Sequence, residues 1–288
     1  MEVTFFGVRG SIPVPGPGTV RYGGNTGCVL VRLSDGSVVI LDCGTGARNL
    51  GLELQARAFA DAPGSATFLL SHAHWDHLQG FPFFRPFYVE SNRFVLYGGA
   101  QSPERLEEVL EGQMAAQYFP LQTFRNMDAT IEIRALPGET GGTARSFAVG
   151  PAQVRAHANP HGAHVSFAFR IEDEGKVLAY ATDVGYTAAG PSPEALALYA
   201  DADLLIHDAT FSSADQPPPT RGLSSVNDAV DAALAAHARQ LALFHYDQNY
   251  TDQDIDELVA RGRRRIGAHP GATGLRLFGA AEGLSVRI

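Results

Sequence analysis

The sequence predicts a single domain of the α/β (α+β) class, in which two β-sheets lie between helices. Apolar runs of strand length alternate with helix-like segments along the whole chain. Turn signals such as Asp35-Gly36 and Gly175 separate neighbouring strand-like runs and indicate hairpins. With 288 residues, 45% of them hydrophobic, the chain is long enough to bury one large core.

The first half is predicted to begin with three strands and a helix. The strands are Glu2–Gly7, Gly27–Leu33 and Val38–Asp42, and the helix covers Ala47–Ala60. A fourth strand contains the apolar run Thr67-Phe68-Leu69-Leu70 and ends at Ser71. Residues 81–127 are then interpreted as an inserted strand–helix lid.

The second half is predicted to be rich in strands, with three helices between or after them. The expected strands are Ile131–Leu136, Ala152–Ala158, Val165–Ile171, Val177–Thr182, Asp203–Asp208 and Leu241–His245. The expected helices are Ser192–Ala200, Val226–Ala238 and Asp252–Arg263.

Charge and composition limit the classes of partner. The formal net charge is −9, which argues against a large nucleic acid, because DNA and long RNA are bound mainly through Lys and Arg. The basic run Arg261-Gly262-Arg263-Arg264-Arg265 is interpreted as the charged end of a helix. No apolar run is long enough to span a bilayer, the N-terminus does not resemble a signal peptide, and only two cysteines occur, so a cytoplasmic location is expected.

A loop with three histidines and an aspartate follows the fourth strand. It reads His72-Ala73-His74-Trp75-Asp76-His77. Imidazole nitrogens and carboxylate oxygens are ligands that zinc and related divalent metals prefer. Three imidazoles so close in sequence must fan out from a turn, which favours a site for two neighbouring ions.

Further metal ligands are expected in the second half, where strands open into loops. His161 lies in a turn, Asp183 follows the strand ending at Thr182, and His245 ends another strand. His157 and His164 lie close to His161 and remain alternatives to it.

An aromatic segment, Phe81–Tyr88, follows the histidine-rich loop. Phe81, Phe83 and Phe84 are candidate substrate-binding residues if this segment forms an apolar wall over the site. The alternative is that the segment packs against a helix at Leu106–Met114, and the sequence does not decide between the two.

These motifs resemble the metallo-β-lactamase superfamily. The histidine-rich loop matches its His-x-His-x-Asp-His motif, and Leu41-Asp42-Cys43-Gly44 matches its early Asp-Gly strand end. The segments Phe6–Pro13 and Tyr22–Thr26 resemble a bacterial branch near ribonuclease Z and the cyclic phosphodiesterase of phosphonate breakdown. The resemblance implies an αββα sandwich. It also implies that His72, His74 and His161 hold one metal, that Asp76, His77 and His245 hold the other, and that Asp183 bridges them.

A second segment of the resemblance bears on proton transfer. Leu205-Ile206-His207-Asp208-Ala209-Thr210 resembles the His-Glu-Ala-Thr segment of ribonuclease Z. By that resemblance His207 would protonate the leaving group and Asp208 would orient a neighbouring group. In the expected dinuclear site, Asp76 would both ligate a metal and orient the nucleophile. The alternative for His207 and Asp208 is a buried structural pair. Where ribonuclease Z has Gly-His-Ser, this chain has Gly222-Leu223-Ser224, and Leu223 cannot carry a proton.

The expected activity is hydrolysis that depends on two divalent metal ions. Zinc is the expected metal, with manganese or iron as alternatives. The first hypothesis is a phosphodiesterase acting on a small or cyclic nucleotide-like substrate. The alternatives are a carboxylic ester, lactone or thioester hydrolase, and a module that senses metal or nucleotide without turnover. A small-molecule substrate and a homodimer are expected, without a membrane or a large nucleic acid as partner.

Overall fold

A computed structural model describes residues 1–98, 103–119, 126–136, 146–212, 222–269 and 274–288. Their strands form two seven-stranded sheets. Among these residues, no helix has both the length and the apolar character needed to cross a bilayer.

The first sheet is built mostly from the first half of the chain. Its strands are β1 (Glu2–Gly7), β2 (Cys28–Arg32), β3 (Val38–Leu41), β4 (Ser65–Leu70), β5 (Arg93–Gly98), β6 (Thr130–Ala135) and, from the C-terminus, β14 (Ser285–Arg287). The order is β14-β1-β2-β3-β4-β5-β6. The strands β3 to β6 run parallel, whereas β2 and β3 form the antiparallel hairpin predicted at Asp35-Gly36.

The second sheet is built from the second half. Its strands are β7 (Ser146–Val149), β8 (Ala152–His161), β9 (His164–Asp173), β10 (Lys176–Ala181), β11 (Leu204–Asp208), β12 (Gln240–Phe244) and β13 (Arg276–Gly279). They lie in the order β13-β12-β11-β10-β9-β8-β7. The hairpin predicted at Gly175 joins β9 to β10, and that glycine has a φ of 73°, in the left-handed region.

Helices flank the sheets. They are α1 (Ala47–Ala56), α2 (Trp75–Leu78), α3 (Pro103–Gln113), α4 (Pro193–Tyr199), α5 (Val226–Ala235) and α6 (Asp252–Ala268). The serine before α5 and the threonine before α6 each form a capping box with an aspartate of the first turn. The basic run 261–265 lies towards the end of α6, as predicted, and Arg265 pairs with Asp231 of α5.

Two apolar clusters follow from the alternation of side chains along the strands. Val29 and Val31 of β2 pack in the cluster shared by the two sheets, whereas Cys28 and Leu30 pack in a second cluster with α1 and α3. The first sheet is therefore buried on both faces, and the predicted αββα sandwich is confirmed.

The segment predicted to be an inserted strand–helix lid contains a strand and a helix, but its strand, β5, is an internal strand of the first sheet. Strand β5 lies between β4 and β6 and pairs in parallel with both, and α3 contacts β6. This strand–helix–strand unit is a parallel crossover rather than an appendage over the site. Residues 99–102 and 120–125 of the segment lie outside the described residues.

The candidate site lies where strands of both sheets end. Strands β3, β4, β10 and β12 are followed by Asp42, the histidine-rich loop, Asp183 and His245, and β8 ends at His161. Because Asp42, Asp183 and His245 each have a φ between 51° and 60°, the backbone turns sharply at the point where each of these side chains leaves its strand.

Candidate metal centre

Seven imidazole and carboxylate side chains, drawn from positions between 72 and 245 of the sequence, form one cluster, in which six are buried and His74 is half-buried. Three overlapping groups each offer ligand atoms within 4.8 Å of one another. The groups are His72, His74 and His161; His72, His77 and Asp183; and Asp76, His77 and His245.

Asp183 lies between the first and the third of these groups, which we call the two outer groups. Its Oδ2 is 3.0 Å from Nε2 of His77 and 3.0 Å from Nε2 of His245, and its Oδ1 is 3.5 Å from Nε2 of His161. A single carboxylate therefore reaches histidines of both outer groups.

Three further contacts fall within the outer groups. Nε2 of His161 lies 3.1 Å from Nδ1 of His74. Oδ2 of Asp76 lies 3.3 Å from Nε2 of His245 and 3.4 Å from Nε2 of His77. The two outer groups contain the same side chains as the two metal sites that the resemblance implied.

Asp42 and Ser71 hold two of the histidines from behind. Oδ2 of Asp42 accepts hydrogen bonds from Nδ1 of His77 at 2.8 Å and from the hydroxyl of Ser71 at 2.9 Å. Since the Ser71 hydroxyl donates to Asp42, it accepts from Nδ1 of His72, at 3.0 Å. Both histidines therefore carry their proton on Nδ1 when neutral, and the lone pair of Nε2 points into the cluster.

His161 and His245 are oriented in the same way by other groups. Nδ1 of His161 donates to the carbonyl of Gly222 at 2.9 Å. The Thr210 hydroxyl donates to Oδ1 of Asp208 at 2.6 Å and accepts from Nδ1 of His245 at 3.0 Å. In the neutral form of four histidines, Nε2 is thus the unprotonated nitrogen, a state that metal ligation requires.

The electrostatics of the cluster favour a cation. Burial raises the pKa of Asp183, but the charges of His245 and His77 outweigh it and hold that pKa below its usual range. Burial likewise opposes the charge on His245, yet Asp183 and Asp76 raise its pKa to about 9. In the metal-free state, protons on such histidines supply the positive charge that a bound ion would otherwise provide, so metal binding would release protons.

Two buried imidazole nitrogens indicate whether the cluster suits a metal ion. Among the described residues, Nε2 of His72 and Nε2 of His77 are buried without a hydrogen bond, and Nε2 of His77 lies against the carboxylates of Asp183 and Asp76. Buried polar atoms are nearly always paired, and an unpaired one calls for an explanation such as an ion. Two such nitrogens facing carboxylates and other imidazoles fit divalent metal ions.

The neighbours of His161 in sequence lie outside the groups. His157 is half-buried, with a pKa lowered by burial, and His164 is exposed beside the ring of His74 at 5.7 Å. Of the three alternatives, only His161 lies in a group that could hold a metal.

His207 and Asp208 point in different directions because they are adjacent on β11. Nδ1 of His207 donates to the carbonyl of Asp208 and Nε2 accepts from the hydroxyl of Tyr186, both at 2.7 Å. The ring is fully buried, and burial lowers its pKa to about 4. This geometry gives no support to proton donation by His207 and favours the structural alternative, whereas Asp208 reaches His245 through Thr210.

The predicted substrate-binding role of two phenylalanines is wrong. Phe81 and Phe84 are completely buried, and their rings pack on Phe87 at 4.7 Å. They belong to the cluster that contains Leu106, Leu110 and Met114, so the packing alternative applies to them. Phe83 is 52% exposed and contacts Phe119, and it alone of the three is available to a ligand.

Several residues that orient the cluster were not predicted as site residues. They are Ser11, Asp42, Ser71, Thr210 and Gly222. The sequence signal for Asp42 was its position at a strand end, next to the strand that leads into the histidine-rich loop.

Comparison with known proteins decides the family. The profile described as the Beta-lactamase superfamily domain matches residues 38–246, well over half of the chain. The protein belongs to the beta-lactamase superfamily. The matched region includes all seven clustered side chains and ends one position after His245.

One relative and two solved structures are similar to this chain over most of its length. Ribonuclease Z of Natronomonas pharaonis is 27% identical, over 87% of this chain and 88% of its own. A diphosphatase from the PhnP family superimposes with a TM-score of 0.69 at 19% identity, covering 100% of this chain and 97% of its own. The short form of human tRNase Z superimposes with a TM-score of 0.69 at 21% identity, covering 100% of this chain and 99% of its own. The family, the relative and the site together identify the protein as a metal-dependent hydrolase.

Proposed function

We propose that the protein is a phosphodiesterase that uses two divalent metal ions and acts on a small or cyclic nucleotide-like substrate. The observation that carries the proposal is the pair of outer groups joined by Asp183, with two buried imidazole nitrogens that make no hydrogen bond, Nε2 of His72 and Nε2 of His77. Two ions held side by side suit phosphodiester cleavage, because both the attacking and the leaving oxygen need stabilisation. The ions would be held by His72, His74 and His161 on one side, by Asp76, His77 and His245 on the other, and by Asp183 between them.

When bound, the ions would lower the pKa of a coordinated water and neutralise charge that develops on the phosphate. The chain supplies orientation. Asp42, Ser71, Gly222 and Thr210 fix the tautomers of four histidines, and the backbone N–H of Ser11 fixes the carboxylate of Asp76 at 2.7 Å. Asp76, held in this way at the edge of the cluster, is the residue we assign to orienting the nucleophile.

We propose zinc as the metal, since imidazole and carboxylate ligands suit it and no thiolate contributes. Cys28 and Cys43 are buried, and burial raises the pKa of both thiols. Manganese and iron accept the same ligands and belong in the same metal-loading experiment.

The proposed substrate is small for two reasons. The net charge of −9 disfavours the phosphate contacts on which binding of a long RNA depends. In addition, Leu223 lies between two residues that serve the site: Gly222 accepts from His161, and the Ser224 N–H donates to Asp208 at 3.3 Å. A leucine at that point offers an apolar contact and no proton, which sets this chain apart from ribonuclease Z.

The test is a substrate panel on protein loaded separately with zinc, manganese or iron. The panel contains bis(p-nitrophenyl) phosphate, cyclic nucleotides, a precursor tRNA with a 3′ trailer, and acyl lactones and thioesters. We expect turnover of the first two kinds. Cleavage of the precursor tRNA alone, or of lactones or thioesters alone, would reject the proposed substrate, and tight ligand binding without turnover would favour a sensing module.

A further inference from the structure

The turn Arg9-Gly10-Ser11, which follows β1, lies against one half of the metal centre. The N–H of Ser11 donates to Oδ2 of Asp76 at 2.7 Å. Gly10 lies so close to His245 that a Cβ there would be 2.3 Å from the imidazole Cε1. Both contacts fall on the group Asp76, His77 and His245, which we call the second triad.

The backbone of this turn is strained. Ser11 has a φ of 68°, in the left-handed region that side chains other than glycine rarely adopt. Such a conformation persists only where surrounding interactions hold it. Here it directs the Ser11 N–H at the Asp76 carboxylate.

Arg9 supplies the interactions that hold the turn. Its side chain is fully buried, and Nε donates to the carbonyl of Gly23 at 2.9 Å. Nη1 donates to the carbonyl of Tyr250 at 2.6 Å and of Asp247 at 3.3 Å. One guanidinium therefore joins the turn to the loop before β2 and to the loop that follows His245.

The main chain repeats the same connection. The N–H of Arg9 donates to the carbonyl of Asn25, and the N–H of Gly10 donates to the carbonyl of Tyr246, both at 3.0 Å. Arg9 forms isolated bridges with Thr26 on one side and with Tyr246 on the other. At this point the two sheets are joined, and His245 lies next to the junction.

We propose that Arg9 is a positioning residue for the second triad: by fixing the turn, it sets the carboxylate of Asp76 and the imidazole of His245. The proposal rests on the proposed metal-dependent function. Because the turn touches the second triad and, among the described residues, none of its hydrogen bonds reaches His72, His74 or His161, the effect of Arg9 falls on one ion only.

The test compares Arg9→Met with Arg170→Met. Arg170 is a matched control, since it is 8% exposed and also donates to main-chain carbonyls, those of Leu198 and Ala200, away from the cluster. The number of zinc ions per chain is measured by mass spectrometry at increasing concentrations of a chelator. Any ion that remains bound is located by anomalous diffraction. We expect Arg9→Met to bind one ion about 10- to 100-fold more weakly and to keep the ion between His72, His74 and His161.

Three results overturn the proposal: retention of both ions with unchanged affinity, equal weakening of both, or the same loss in Arg170→Met. If Arg9→Met does not fold, Arg9→Lys decides, because lysine keeps the charge but replaces the planar fork with a single ammonium. A smaller weakening of metal binding in Arg9→Lys, confined to the second triad, supports the proposal. Unchanged metal binding in that variant refutes it. Failure of the proposed function would show differently, as wild-type protein that binds no pair of ions or cleaves no phosphodiester.

Discussion

Asp42 offers the sharpest test of how the chain prepares its histidines for metal. Its carboxylate is completely buried and accepts four hydrogen bonds. Oδ1 accepts from the Ser71 N–H at 2.7 Å, and Oδ2 accepts from Ser71, His77 and Tyr180 at 2.9, 2.8 and 2.7 Å. Asparagine has the same shape and tolerates the left-handed φ of 57° found here, so Asp42→Asn changes chemistry rather than backbone.

The amide introduced by Asp42→Asn would place an N–H₂ group against donors in either orientation. With the amide nitrogen at the Oδ2 position, His77 can relieve the conflict by moving its proton from Nδ1 to Nε2. That tautomer removes the lone pair facing the cluster. We expect Asp42→Asn to weaken metal binding by about 10- to 100-fold, which corresponds to about 1.4–2.7 kcal/mol.

The assay measures zinc affinity by chelator competition and the stability of the metal-free protein by urea unfolding. Asp173→Asn is the matched control, because Asp173 is 3% exposed and accepts from Ser34 N and Oγ at 2.7 and 2.8 Å, away from the cluster. Both variants should lose stability, and only Asp42→Asn should lose metal affinity. Equal zinc affinity in wild type and Asp42→Asn would refute the reasoning.

Three further predictions follow from the same contacts. Asp183→Ala should remove at least one ion, because its carboxylate reaches histidines of both outer groups; two ions per chain by elemental analysis would exclude the bridging role. His207 should make the free energy of unfolding depend on pH, because burial lowers its pKa from 6.5 to about 4. The stability that the neutral imidazole contributes is fully present above pH 6.5. It falls by about 3 kcal/mol as the pH drops to 4. Urea unfolding across that range should give a flatter profile for His207→Gln, and parallel profiles would contradict the assignment. Phe84→Ala should cost about 3–5 kcal/mol of stability, whereas Phe83→Ala, at an exposed position, should cost less than about 1 kcal/mol. Equal losses of stability in the two variants would contradict the different burial of the two rings.

The fold could be predicted from the sequence because the periods of strands and helices are local signals. The hairpins at Asp35-Gly36 and Gly175, the strand before the histidine-rich loop and the helix after Thr251 all follow from turn chemistry and apolar spacing. The short edge strands β7, β13 and β14 were not predicted, because they have only three or four residues each and little periodicity.

The candidate ligands could be predicted from the sequence because each lies where a strand ends. What the sequence could not show is burial, which depends on elements distant in the chain. Phe84 and Phe83 are adjacent, yet Phe84 is buried in the cluster that also contains side chains of α1 and α3, whereas Phe83 is exposed. The insertion was misjudged for the same reason, since only pairing with β4 and β6 reveals β5 as an internal strand.

His207 illustrates a rule that the sequence alone could have supplied. Neighbouring residues on a strand point to opposite faces, so His207 and Asp208 cannot both face the cluster. The hydrogen bonds of Asp42, Thr210 and Gly222, in contrast, join positions up to 61 residues apart and become visible only in the folded chain. The cytoplasmic location and the homodimer stay predictions.

Anomalous diffraction from crystals of the zinc-loaded protein tests the central claim most directly. We predict two peaks at the zinc edge, one among His72, His74 and His161 and one among Asp76, His77 and His245, both within ligand distance of Asp183, at about 2.0–2.2 Å from nitrogen and oxygen. A single peak, or zinc bound away from these side chains, would contradict the account.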